Sequence, residues 1–236
     1  MLEIINFSKS YTGGKPAVSN LNLKVMPGDI YGFIGHNGAG KTTTIKAAVG
    51  ILNFKDGDIK INGMSIKETP LECKKLLAYI PDNPDLYESM KGIKYLNFIA
   101  DIYEVSLQER ESKIKYYADA FELTSSLNDS ISSYSHGMKQ KLALISAFIH
   151  SPKLLVLDEP FVGLDPIAAH TLKGFMKELT QNGGSIFFST HVLEVAEKLC
   201  NKIAIIKDGK LISQGYMDEV KGDSSLEEIF LELSDR

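Results

Sequence analysis

The sequence predicts an α/β fold, with a core of mainly parallel sheet joined to an antiparallel β subdomain and a helical subdomain. Three observations carry this. The uninterrupted apolar runs Ile30-Tyr31-Gly32-Phe33-Ile34 and Leu154-Leu155-Val156-Leu157 have the length and character of strands buried on both faces, as in a parallel sheet. The first residues instead alternate between apolar and polar, as half-buried antiparallel strands do. Residues 87–134 then change to helical spacing. With 236 residues, 44% of them hydrophobic, the chain can bury a core of that size.

In chain order, Leu2-Glu3-Ile4-Ile5-Asn6-Phe7 and Leu21-Asn22-Leu23-Lys24-Val25 read as strands, separated by the turn cluster Thr12-Gly13-Gly14-Lys15-Pro16. Pro27-Gly28-Asp29 turns the chain into the run at Ile30, and Thr43-Thr44-Ile45-Lys46-Ala47-Ala48-Val49 begins a helix. Ile59-Lys60-Ile61 is a short strand, and Leu76-Leu77-Ala78-Tyr79-Ile80 is another, stopped by Pro81. The stretch from Gly92 to Ala100 and that from Ser112 to Leu123 are helical; Ile114, Tyr117, Ala118 and Phe121 form a stripe best read as core. An amphipathic helix opening at Ser135-His136-Gly137 carries Met138, Leu142, Ile145 and Phe148. After the strand at Leu154 come a helix (167–180), the strand Ser185-Ile186-Phe187-Phe188-Ser189-Thr190, a helix (192–200), and two strands joined by the hairpin turn Asp208-Gly209. The tail from Ser225 to Leu233 is an amphipathic helix. The expected division is a core with β subdomain over 1–86 and 151–220, a helical subdomain over 87–150, and a C-terminal helix over 221–236.

Between the apolar run at Ile30 and the helix at Thr43 lies Gly35-His36-Asn37-Gly38-Ala39-Gly40-Lys41-Thr42-Thr43. This fits G-x-x-x-x-G-K-[ST], the phosphate-binding loop, in the strand–loop–helix context that the motif requires. Gly38 and Gly40 let the backbone curl and approach a ligand, so that successive N–H groups form an anion nest at a helix N-terminus. Lys41 adds a point charge toward the β- and γ-phosphates, and the Thr42 hydroxyl is a ligand for Mg²⁺. Tyr11, at the end of the first strand, is placed either to stack on adenine or to cap the strand edge.

Phosphoryl transfer to water also needs a metal holder and a group that orients the water. Asp158-Glu159 follow the apolar strand at Leu154, where an α/β sheet puts its ligands. Asp158 is assigned to Mg²⁺ and Glu159 to the attacking water. His191, after Phe187-Phe188-Ser189-Thr190, is open to two readings: contact with the γ-phosphate, or a structural histidine.

Composition narrows the partners. The formal net charge of −4 gives no support to wholesale phosphate-backbone binding, so nucleic acid is not expected. Cys73 and Cys200 lack metal-ligand spacing and suit a reducing compartment. Residues 1–7 lack the order of a secretory signal, and no apolar segment is long enough to cross a bilayer.

Taken together, these motifs resemble the ATP-binding subunit of ABC transporters across essentially the whole chain. The carriers are Tyr11, residues 35–43, the signature Ser135-His136-Gly137-Met138-Lys139-Gln140, the stretch from Leu154 to Pro160, Gly163-Leu164-Asp165 and Ser189-Thr190-His191. The resemblance implies a composite site: ATP and Mg²⁺ lie between two head-to-tail subunits, as a homo- or heterodimer, and the signature of one faces the γ-phosphate held by the other. It makes His191 a switch histidine and Asp165 part of the loop after the carboxylate pair. It also implies a separate transmembrane permease and a peripheral place on the inner face of the membrane. Two departures stand out. The usual Leu-Ser-Gly-Gly-Gln is here Tyr134-Ser135-His136-Gly137-Met138, and Asp82, followed by Asn83, occupies the place of a Mg²⁺-reaching glutamine. Tyr-Ser-x-Gly-Met-Lys-Gln, Phe161-Val162-Gly163-Leu164-Asp165-Pro166 and the tail Leu226-Glu227-Glu228-Ile229-Phe230 resemble bacterial export-type systems. Two other classes remain in view, an ABC-type ATPase acting on nucleic acid or ribosomes and a regulatory nucleotide binder. Against the first stand one cassette, two cysteines and no room for a long coiled coil.

Overall fold

The computed structural model describes residues 1–11 and 15–235, so the first three residues of the predicted turn cluster lie outside the described residues. The first sheet holds β1 (Leu2–Ser10) and β2 (Pro16–Val25), continued later in the chain by β4 (Asp56–Ile61) and β5 (Met64–Ser65) after β3 (Ile30–Ile34). Its order is β2-β1-β4-β5, antiparallel throughout. The imperfect alternation of β1 has a local cause. Leu2 and Ile4 face the core, Asn6 adopts φ 48°, and the pairing register shifts there, so that Phe7 is again buried.

The second sheet contains β3, β6 (Leu77–Ile80), β7 (Leu154–Asp158), β8 (Ser185–Thr190), β9 (Lys202–Lys207) and β10 (Lys210–Tyr216), in the order β10-β9-β3-β8-β7-β6. All neighbours are parallel except the β9/β10 hairpin, whose turn residues Asp208 and Gly209 both have positive φ (48° and 75°), as a tight hairpin turn requires. The predicted α/β fold is therefore the observed one, and β3, β7 and β8 are buried at every residue.

Helix α1 (Lys41–Ala48) packs between the two sheets, where Phe33, Ile45, Ala48, Val156 and Phe187 share one core with β1, β2 and β4. The opposite face of the parallel sheet is covered by α6 (Pro166–Gln181) and α7 (Leu193–Leu199), and the same core runs into α3 (Gly92–Ile102), α4 (Leu107–Ala120) and α5 (His136–Ile149). Several elements differ from the sequence reading. Strand β2 already starts at Pro16, and α4 runs over Leu107–Ala120 and not from Ser112 to Leu123. Strand β5, the helix Met217–Lys221 and the helix before β6 have no counterpart in that reading. Residues 70–76 form a helix, α2 (Pro70–Leu76), and the following strand starts at Leu77. A seven-residue helix with Cys73 as its buried side chain shows no period to read, although Pro70 at its first turn is a start signal. Helix α5 is less amphipathic than predicted, because every residue from Leu142 to Ile149 is buried and only residues before Leu142 reach the surface. The stripe on α4 is core as expected: Ile114 and Ala118 are buried, and Tyr117 packs on Phe148 and Phe175 at 5.5 and 5.0 Å. The chain ends in α8 (Met217–Lys221) and α9 (Leu226–Asp235). Among the described residues, no helix is long and apolar enough to cross a membrane.

Candidate nucleotide site

Parallel pairing brings the predicted groups together. In register, Ile34 of β3 lies beside Thr190 of β8, Ser189 beside Asp158 of β7, and Leu157 beside Ile80 of β6. The segments that follow all four strands thus emerge at one edge of the sheet, which is where open α/β sheets hold ligands.

The phosphate loop is fixed by close packing. A Cβ on Gly40, at φ 108°, would sit 2.6 Å from the Ala17 carbonyl oxygen, and one on Gly35 would sit 2.5 Å from that of Ile206. Gly40 caps α1, so the loop delivers the helix N-terminus to the cleft. Lys41 is only 6% exposed; its Nζ donates to the carbonyls of Gly35 (2.7 Å) and His36 (3.3 Å) beneath the loop. His36, Asn37, Gly38 and Thr42 are exposed, Ala39 is buried, and Thr43 is half-buried. Tyr11 lies just beyond β1, with its ring half exposed and its Oη 3.3 Å from Thr43 Oγ1.

Asp158 is 3% exposed and its Oδ1 accepts a hydrogen bond from Ser189 Oγ. Glu159 follows at φ 49°, a left-handed backbone held by its N–H, which donates to both the carbonyl and the hydroxyl of Ser189 at 3.2 Å. This turn aims the Glu159 carboxylate back across the cleft. Its Oε1 lies 3.0 Å from His191 Nδ1 and 3.6 Å from Lys41 Nζ, and Oε2 accepts from the His191 N–H at 3.3 Å. Oε1 is buried, and among the described residues no donor meets it with hydrogen-bond geometry, although His191 and Lys41 lie close. Ser189 was not singled out from sequence. Its signal was a polar residue inside an apolar strand, since a buried hydroxyl needs a partner.

Asp82 lines the same cleft as residues 36–38, Lys41, Thr42, Asp158 and Glu159, whereas Asn83 lines a neighbouring groove with His136 and Lys139. The cleft therefore offers carboxylate and hydroxyl oxygens, the donors that a hard cation takes. Among the described residues there is no cluster of three or more His, Cys, Asp or Glu able to hold a metal unaided.

The signature corner lies apart from this cleft. Ser135 caps α5, its Oγ accepting from the Met138 N–H at 3.3 Å; Ser135 and His136 are exposed, and Gly137 and Met138 half-buried. Tyr134 is instead an anchor, buried with its hydroxyl donating to the Ser126 carbonyl at 2.6 Å. The loop carrying Asp165 packs against this corner. A Cβ on Gly163 would meet the His136 ring at 2.6 Å, and Asp165 caps α6 while pairing with Lys141 at 2.8 Å. Hydrogen bonding from Lys141 holds the Asp165 carboxyl below its ordinary pKa.

Residues 18–162 match the family model described as ABC transporter. The chain belongs to that family. It is 34% identical to the ABC-type transporter ATP-binding protein EcsA of Bacillus subtilis over 96% of this chain and 95% of that protein. It is 37% identical to the uncharacterized ABC transporter ATP-binding protein YhcH of the same organism, over 93% of this chain and 71% of that one. A solved structure described as the ATP-binding subunit of an ABC transporter superposes with a TM-score of 0.95 at 35% identity, covering 99% of both chains. The dimeric, post-hydrolysis structure of the ATP-binding cassette MJ0796 with ADP and Pi has the same fold, with a TM-score of 0.83 at 21% identity over 92% of this chain and 99% of that one. This chain is thus the ATP-binding subunit of an ABC transporter, with an ABC-type ATPase domain.

Proposed function

We propose that this chain is the cytoplasmic motor of a bacterial export-type transporter, hydrolysing ATP to drive a substrate through a separate membrane-spanning permease. The observation that carries this reading is the separation within one chain. The phosphate loop, Asp158 and Glu159 share one cleft, while Ser135 and His136 stand exposed at another corner. A second copy or sibling, placed head to tail, completes the site by bringing Ser135 and the α5 N-terminus to the γ-phosphate held by Lys41.

Within that arrangement Tyr11 stacks on adenine and the N–H groups of residues 38–43 cradle the phosphates. Lys41, already desolvated, neutralises the β- and γ-phosphates. Thr42, Asp158 and Asp82 are the oxygens that would hold Mg²⁺, which supplies charge stabilisation on the phosphates. Glu159 orients the attacking water and accepts its proton on its carboxylate, and His191, held 3.0 Å from that carboxylate, contacts the γ-phosphate. Two ATPs bridge the dimer, and loss of the γ-phosphate contacts releases it. A near-complete switch needs about 5.5 kcal/mol of differential affinity for the closed form.

The test is Glu159→Gln with ATP and Mg²⁺. This variant should bind ATP, lose roughly 10²–10⁴-fold in hydrolysis, and run as a dimer by light scattering. Hydrolysis near the wild-type rate removes Glu159 from its role; a monomer, both alone and with the permease that co-purifies from solubilised membranes, refutes the closing dimer.

A further inference from the structure

The C-terminal helix reaches the phosphate loop. Phe230 of α9 is 8% exposed, and its ring centroid lies 4.6 Å from that of His36, with the planes inclined at 56°. His36 is the first residue after Gly35 in the loop, and its carbonyl is one of the two that hold Lys41 Nζ. The contact therefore falls on a residue that already steadies the lysine.

Helix α9 is itself well founded. Ser225 and Glu228 cap its start reciprocally, at 2.9 and 3.2 Å. The Leu226 N–H donates to Glu197 Oε2 of α7 at 3.3 Å, while Glu197 Oε1 accepts from Lys221 at 2.6 Å, and the Leu226 side chain is fully buried. Helix α7 starts at Leu193, two residues after His191. Thus α9 stands on the helix that follows His191 and leans an aromatic ring on the loop that carries Lys41.

We propose that Phe230 is a positioning residue for ATP: by bracing His36, it keeps the phosphate loop in the conformation that accepts the triphosphate. Residues 36–38 are exposed, and the Phe230 ring is an aromatic contact on that outer side of the loop. Apparent affinity scales with the fraction of molecules in the competent form, and removing the brace lowers that fraction. Phe230 is not among the residues lining the cleft with Glu159, so the bond-breaking step keeps its own groups. An aromatic pair of ordinary strength corresponds to roughly a two- to tenfold change in affinity. This inference rests on ATP being the ligand of the loop.

The experiment uses the full chain, with a fluorescent ATP analogue and Mg²⁺ for binding and steady-state hydrolysis for KM and kcat. Phe230→Ala should weaken binding and raise KM by about two- to tenfold, with kcat within about twofold of wild type, and Phe230→Tyr, which keeps the ring, should restore both. His36→Ala should also weaken binding, and the double variant should be no worse than His36→Ala alone, because the ring contact is already lost there. Wild-type affinity in Phe230→Ala overturns the proposal, as does a double variant in which the two losses multiply. Binding by the wild type that is abolished in Lys41→Ala upholds ATP as ligand whichever way the Phe230 result falls; a wild type that does not bind overturns both readings.

Discussion

His150 makes the stability of this subunit depend on mild acid in a way that can be worked out beforehand. It ends α5, its ring stacks on Tyr103 with centroids 3.6 Å apart and planes 11° off parallel, and its Nε2 lies 3.3 Å from the Leu77 carbonyl oxygen at the start of β6. A carbonyl only accepts, so Nε2 carries the proton of the neutral ring. Burial pushes the His150 pKa down to about 4, the nearby Lys113 ammonium helps, and the backbone carbonyls of Leu77 and Ser146, which favour a charged ring, oppose the shift. In the unfolded chain the group titrates near 6.5. Between these values the unfolded state binds the extra proton and the folded state does not, so stability is complete above about pH 6.5 and falls as the pH drops toward 4. The whole displacement is worth about 3 kcal/mol, of which about 2 kcal/mol is lost by pH 5. Urea unfolding at pH 7 and pH 5 reads this directly, with His150→Gln as reference because its amide cannot titrate. The wild type should lose about 2 kcal/mol more than the variant between the two pH values, whatever stability the variant has at pH 7. Equal losses would show that the buried ring is not the proton-linked group.

Two glycines of the loop separate strain from collision. Gly38→Ala meets open space at φ 83° and should cost about 1 kcal/mol, whereas Gly40→Ala, at φ 108° with the Ala17 oxygen 2.6 Å from its Cβ, should cost more than about 2 kcal/mol and weaken ATP binding. Thermal unfolding of the two side by side checks the order, and equal losses would refute it. At Tyr11, alanine should raise the ATP dissociation constant by about tenfold if the ring stacks on the base. Phenylalanine, which forfeits only the 3.3 Å contact to Thr43, should change it by less than about threefold. Matching effects in the two variants, measured by nucleotide titration, would make that hydroxyl contact, not the stack, the source of affinity.

The fold was largely legible because each local signal matched the environment that its strand or helix finally met. The apolar runs at Ile30 and Leu154 became parallel strands buried on both faces, and Asp208-Gly209 supplied the positive φ of a hairpin. What escaped was short or buried all round: α2 has no readable period, and the second half of α5 is enclosed on every side, so its pattern understates its burial. Of the cleft, the phosphate loop and the carboxylate pair declared themselves through spacing. Ser189 did not, because one hydroxyl in an apolar strand reveals neither its partner nor its direction.

The sequence by itself determined the fold class, the phosphate-loop motif and the family resemblance, since these rest on residue types at fixed local offsets. Only the tertiary structure decided that Glu159 lies between Lys41 and His191, that Asp82 rather than Asn83 faces the phosphate loop, and that Phe230 reaches back across almost the whole chain to His36. The physical reason is that these relations come from strand register and from helices docked on shared cores, and neither follows from the local offsets along the chain.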